Sequence, residues 1–184
     1  MPSLQNGYIS SLLGKPIQDP ELANALMRWL EKHPELDIFR PEDLARISFP
    51  LTASQAQENQ EKAHAVAEQW YQQTAAGVQA SNGDLTAATS AIMDAPLKSN
   101  AEVTLAQAVS IEQQRRVQSD GSTADRLKEA ANLYSICESR RQMQFEPEVD
   151  KLAKQEFQKR ISELAQTIGE PAKHNANNDT AKGY

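Results

Sequence analysis

Apolar residues recur every three or four positions along most of the chain, which is the pattern of helices with one buried face. The clearest case begins where Asp19 can serve as N-cap, Pro20 as first helical residue and Glu21 as a dipole-favoured acid. This helix is predicted to run to about His33, because Pro34 follows. Its apolar arc is wide and comprises Leu22, Ala23, Ala25, Leu26, Met27, Trp29 and Leu30.

The same periodicity, bounded by capping residues, glycines and prolines, predicts six further helices, at about residues 41–47, 52–80, 84–95, 100–120, 122–145 and 147–169. Pro147 is predicted to start the last of them, and Gly169 with Pro171 to end it. In the helix over 100–120 the apolar residues spread around much of the axis, which predicts a central helix contacted on several sides; they are Val103, Leu105, Ala106, Val109, Ile111 and Val117.

Short connections between successive helices favour antiparallel neighbours. The predicted fold class is therefore all-α, an up-and-down helical bundle of four to five helices with a small N-terminal helical appendage. We place the appendage and its connector at residues 1–50, the bundle at 51–169 and a flexible tail at 170–184. The composition agrees with this prediction, because 26 Ala and 18 Gln favour helices. Leu, Ile, Val and Phe make up only 35 of 184 residues, which indicates a core softened by alanine.

The charge and the N-terminal sequence bear on the cellular location and on the classes of partner. A net charge of −6, from 19 basic and 25 acidic residues, is ordinary for a soluble cytoplasmic domain and poor for a dedicated nucleic-acid binder. No basic region followed by an apolar stretch precedes Lys15, and no apolar run could cross a bilayer. The sequence therefore predicts a cytoplasmic protein with no membrane partner, although specialised export or a virion location stays open.

Two residues, Cys137 and His64, are the candidates for a catalytic or metal-binding centre. Cys137 has Arg140 and Arg141 nearby, which would lower its thiol pKa, but it falls on the apolar face of its helix and is expected to be buried. His64 follows Glu61 with the Glu-x-x-His spacing of di-iron bundles, but no second copy of the motif exists. We therefore expect no catalytic residue, no metal and no cofactor. A structural cysteine and a solvated histidine are the simpler interpretations.

Three basic pairs form the other candidate site. A basic surface for an acidic partner or a phosphate backbone would use Arg115, Arg116, Arg140, Arg141, Lys159 and Arg160. Acidic residues offset these pairs, and no aromatic residues lie between them to stack on bases. The sequence therefore favours solvated helix flanks over nucleic-acid binding.

The leading prediction is a non-enzymatic helical protein–protein interaction module, such as an adaptor, a chaperone-like partner or an assembly component, with a virion- or secretion-associated role left open. Alanine-rich faces allow close approach of helices, so the partner is a protein, a second copy of the chain, or both. The candidate docking residues lie on the first long helix and are Leu22, Leu26, Trp29 and Leu30. The alternatives are a nucleic-acid-associated regulator that uses the basic pairs, and an enzyme centred on Cys137 or His64.

Overall fold

The computed structural model describes residues 9, 11–80, 85–95, 97 and 99–181, with side chains undescribed at 79, 80 and 168–181. Most of the described residues lie in helices, and none of them lies in a strand. The helices pack against one another within each of two compact units. The predicted all-α, bundle-like fold is therefore confirmed.

The helices begin where local capping chemistry places them. Asp19 caps the first long helix by accepting a hydrogen bond from the backbone N–H of Glu21 at 2.9 Å. The hydroxyl of Thr52 accepts from the N–H of Gln55 at 3.0 Å at the start of the third helix. The elements are α1 (Pro20–Glu31), a 3-10 turn (Pro34–Asp37), α2 (Pro41–Leu44), α3 (Ala53–Ala80), α4 (Leu85–Asp94), α5 (Ala101–Val117) and α6 (Thr123–Ala181).

The last helix differs from the prediction. The sequence predicts two helices separated at about residue 146, whereas α6 is continuous over 59 residues and passes through Pro147. An interior proline removes one backbone donor, here the partner of the Met143 carbonyl. Phe145 and Val149 on either side of Pro147 are both buried, so packing holds the helix through this position. The predicted end at Gly169 is also wrong, because α6 continues to Ala181, within the predicted tail, and nothing in the described residues explains this extension.

The chain forms two compact units, and each is made of two separate segments. The first unit comprises Met1–Pro50 and Lys98–Phe145, and the second comprises Leu51–Leu97 and Glu146–Tyr184. One division falls between Pro50 and Leu51, where the sequence-based prediction separates 1–50 from 51–169, and the segment 98–145, which that prediction groups with 146–169, lies in the first unit. Each unit is formed by packing between segments that are distant in sequence, so the apolar periodicity within single helices could not predict this division.

In the first unit, α5 and α6 run antiparallel. Glu112 contacts Asn132, whereas Arg115, later in α5, contacts Glu129, earlier in α6. The apolar core joins α1 and the segment 34–45 to this pair of helices. Its most enclosed apolar residues, none more than 2% exposed, are Ile9, Leu26, Leu30, Leu44, Ala108, Ala130, Leu133 and Ile136.

In the second unit, α3 lies parallel to the C-terminal part of α6. His64 pairs with Glu156, and Glu68, one turn after His64, pairs with Arg160, which lies one turn after Glu156. Trp70 packs edge-on against Phe157, with ring centroids 6.0 Å apart. The buried apolar residues are Ala63, Ala67, Val149, Ala153, Phe157 and Ile161. This core is rich in alanine, as the composition predicts.

Candidate interaction surface

The most distinctive feature of the first unit is the helix α5, which turns Glu112 and Arg115 inward. Glu112 is fully buried, and its carboxylate accepts hydrogen bonds from Arg115 at 2.7 and 2.8 Å. It also accepts from Arg116 Nε at 2.9 Å and Asn132 Nδ2 at 3.3 Å. A buried carboxylate is tolerated only when it is paired and hydrogen-bonded in this way.

Arg115 extends this cluster to α6. Its side chain is only 9% exposed, and it contacts Asp125 at 3.1 Å and Glu129 at 2.6 Å besides Glu112. Desolvation opposes the charged guanidinium of Arg115, but its hydrogen bond to Glu112 and the three neighbouring carboxylates together raise its pKa. Arg115 is therefore a structural cation that holds α5 against α6.

Two more arginines attach the 3-10 turn and the residues that follow it. Arg116 donates to the backbone carbonyls of Leu36, at 3.1 Å, and Phe39. Arg126 donates to both carboxylate oxygens of Asp37 at 3.1 Å and also contacts Glu129. At the centre of this set of contacts Glu112 and Glu129 are buried and Arg115 is nearly so, while Arg116, Asp125 and Arg126 are partly exposed and Asp37 is exposed. We call the whole set the buried charge cluster after its centre, and its contacts hold elements of the first unit together.

Burial also affects the acidic members of the cluster. Desolvation raises the pKa of the Glu129 carboxyl above its ordinary value, although the positive charges of Arg115 and Arg126 act in the opposite direction. Glu129 therefore keeps its proton to higher pH in the folded protein than in the unfolded chain.

The opposite side of α5, which we call its outer face, contains no charged residue of α5 and is exposed, and at its edge Gln113 donates a hydrogen bond to Glu42 of α2 at 3.0 Å. One of its apolar residues, Val103, is 59% exposed and another, Val117, is 85% exposed. At 100° per residue the whole face lies within about 60° of Ser110 on the helical wheel. Its members are Val103, Ala106, Gln107, Ser110, Gln113, Gln114 and Val117.

This geometry corrects the prediction that α5 is a central helix contacted on several sides. Val103, Ala106 and Val117 are exposed, so packing covers one side of the helix and leaves the other side open. Both sides contain apolar residues, and for that reason the sequence pattern suggested contacts all round. A shallow groove adjoins the outer face and is lined by Ser11, Leu13, Lys15, Ala106, Gln107, Ser110 and Ile111.

The predicted docking residues of α1 are placed differently. Leu22, Leu26 and Leu30 are buried in the core of the first unit. Trp29 is partly buried and packs edge-on against Tyr134, with ring centroids 5.2 Å apart. The wide apolar arc of α1 is therefore covered by the chain itself, and its burial does not support a docking surface there.

The predicted basic surface is largely occupied by contacts within each unit. In the first unit, Arg115 and Arg116 belong to the buried cluster, Arg140 donates to the carbonyl of Ile47, and Arg141 contacts Glu138 and the ring of Phe49. In the second unit, Arg160 pairs with Glu68 and lies over the ring of Tyr71, whereas Lys159 is exposed beside His64 in a surface groove. Five of the six side chains thus bind partners in their own unit.

The two candidate catalytic residues lie in different units. Cys137 is 7% exposed, and burial, reinforced by the charge of Glu138, raises the pKa of its thiol to about 12. Its thiolate is therefore scarce at neutral pH, and only Arg141 acts in the opposite direction. His64 is exposed and pairs with Glu156 at 2.6 Å.

No group of three or more His, Cys, Asp or Glu side chains in the described part of the chain is arranged to hold a metal ion. No helix in the described ranges combines the length and apolar character needed to cross a membrane.

No protein-family model, curated protein or solved structure matches this chain. Its class, an all-α protein made of two helical units, therefore rests on its own residues. The outer face of α5 is the surface that sequence reasoning missed. The signal that could have found it is the run Val103 to Val117, in which the charges at 112, 115 and 116 fall on one side and the other side has none.

Proposed function

We propose that the protein is a non-enzymatic helical interaction module that binds a protein through the outer face of α5. The observation that supports this most directly is the inversion of α5, which buries Glu112 and Arg115 and exposes Val103 and Val117. Exposed helix faces of soluble proteins normally combine charged and polar residues. The outer face of α5 is polar without charge and adds two exposed valines, and this combination favours contact with a protein surface.

The other predicted functions receive less support. A nucleic-acid regulator would need free arginines, and most of the candidates are held by carboxylates, carbonyls or aromatic rings within their own unit. An enzyme centred on Cys137 would need an accessible thiolate, which its burial and raised pKa oppose. The cytoplasmic location stays a prediction from the sequence.

Affinity capture tests the proposal. Wild type, Ser110→Glu and a control, Ala65→Glu, would be immobilised and exposed to extract from the source organism after nuclease treatment. Both substitutions add one carboxylate to a small, exposed helical residue, the first on α5 and the second on α3. We expect a protein that wild type and Ala65→Glu retain and Ser110→Glu loses. Equal capture by all three proteins, or loss of every partner on nuclease treatment, would contradict the proposal.

A further inference from the structure

The outer face of α5 is nearly symmetric about its centre. Val103 and Val117 lie seven residues before and after Ser110. Gln107 and Gln113 lie three residues before and after it, whereas the positions four before and after hold Ala106 and Gln114. A face that reads the same in both directions can meet a copy of itself around a two-fold axis, which is the requirement for a closed dimer.

We propose that this face pairs with the same face of a second copy, with the two α5 helices antiparallel and the two-fold axis near Ser110. This inference rests on the proposed function and specifies the partner of the same surface. Val103 of one copy then lies opposite Val117 of the other, Gln107 opposite Gln113, and Ala106 opposite Gln114. The two Ser110 side chains face each other across the axis, with Ala106 beside them.

The chemistry of the face fits this occupant. Small residues at the centre, Ala106 and Ser110, let two helices approach closely, while the valines bury apolar surface at each end. Glutamine side chains both donate and accept hydrogen bonds, so Gln107 of one copy can donate to the amide oxygen of Gln113 of the other, whose own amide N–H₂ donates to Glu42. The molecule carries a net charge of −6, and two copies repel each other less across a face whose own side chains are uncharged.

The size of the face sets the strength of the pairing. A helix of 17 residues is about 25 Å long and about 10 Å wide, so its exposed face has an area of about 250 Å². A stable interface buries roughly 800 Å² on each partner, which is more than this face provides. The dimer is therefore weak and dependent on concentration. Added salt strengthens it, because salt screens the repulsion between two acidic molecules. Nucleic-acid binding has the opposite salt dependence.

Disulfide trapping tests both the contact and its orientation. Wild type is the blank, because its single thiol, Cys137, is buried. Under mild oxidation Ser110→Cys should form a covalent dimer, whereas Ala65→Cys, an exposed control on α3, should stay monomeric. Val103→Cys alone should not cross-link, but an equal mixture of Val103→Cys and Val117→Cys should. Cross-linking of Val103→Cys alone at the same rate as the mixture would overturn the antiparallel arrangement.

Sedimentation equilibrium on the full chain provides an independent measurement that needs no introduced thiol. The dimer dissociation constant should rise about tenfold or more in Ser110→Glu, because two carboxylates would meet at the axis, and should be unchanged in Ala65→Glu. A strictly monomeric wild type that also fails to cross-link through Ser110→Cys would refute self-pairing. The proposed function would still be supported if, in the capture experiment, wild type retains a different protein that Ser110→Glu does not retain. It would be contradicted only if the capture experiment also showed no such difference.

Discussion

Replacing Glu112 by glutamine tests whether the buried charge cluster stabilises the first unit. The substitution keeps the shape of the side chain, removes its charge and places an amide N–H₂ against the donors of Arg115 and Arg116. Breaking a buried ion pair by removing one partner costs about 3–5 kcal/mol. Arg115 retains Asp125 and Glu129, so we expect the free energy of unfolding to fall by about 2–4 kcal/mol.

Urea unfolding monitored by tryptophan fluorescence is the assay, because each unit contains one tryptophan. Trp29 lies in the first unit, against Tyr134, and Trp70 lies in the second, against Phe157. In a Trp70→Phe background the signal reports the surroundings of Trp29 alone. The urea midpoint should decrease with Glu112→Gln while the slope stays unchanged.

Glu102→Gln is the matched control, since it makes the same change at an exposed position of the same helix. It should alter the free energy of unfolding by no more than about 0.5 kcal/mol, a small effect of the helix dipole and surface charge. If Glu112→Gln changes stability as little as Glu102→Gln does, the buried cluster does not stabilise the unit and the reasoning is refuted.

Three further results are expected. Ser135→Ala should leave stability unchanged or raise it by up to about 1 kcal/mol in urea unfolding, because the buried Ser135 hydroxyl has no hydrogen-bond partner; a loss above about 1 kcal/mol would contradict this. Cys137 should not react with a thiol reagent at neutral pH until denaturant is added, because its pKa is about 12; rapid labelling of the folded protein would show an accessible thiolate. The pKa of Glu129 is raised in the fold, so its contribution to stability is greatest at low pH and is lost as the pH rises from the ordinary value of 4.5 through the folded pKa. Wild type measured against Glu129→Gln should therefore lose relative stability over that interval, and a gain would reverse the assigned sign.

Sequence reasoning succeeded where the determinants are local. Asp19 and Thr52 cap α1 and α3 through hydrogen bonds to residues two and three positions away. The starts of these two helices can therefore be predicted from neighbouring residues. The prediction of a new helix at Pro147 is wrong. Proline is common at the start of a helix, but here the buried side chains on both sides of Pro147 favour one continuous helix.

The site was harder to predict because apolar periodicity does not say what covers a helix face. The apolar arc of α1 predicts a docking surface, yet Leu26 and Leu30 are enclosed by the chain's own core. For α5, the sequence predicts that the charges at 112, 115 and 116 are solvated. Their partners are Asp125 and Glu129 on α6, with the carbonyls of Leu36 and Phe39, which are distant in sequence and invisible to helical spacing.

The inversion of α5 has a consequence for how its variants should be interpreted. The groups that stabilise the first unit, Glu112 and Arg115, and the centre of the proposed surface, Ser110, lie on opposite sides of one helix. A substitution on the inner side changes the folding equilibrium, and binding then changes only through the amount of folded protein. A substitution at Ser110 leaves the buried cluster intact, so its effect on association reports the surface itself. If Ser110→Glu lowers the unfolding midpoint as much as Glu112→Gln does, the two sides are not independent and the outer face belongs to the fold.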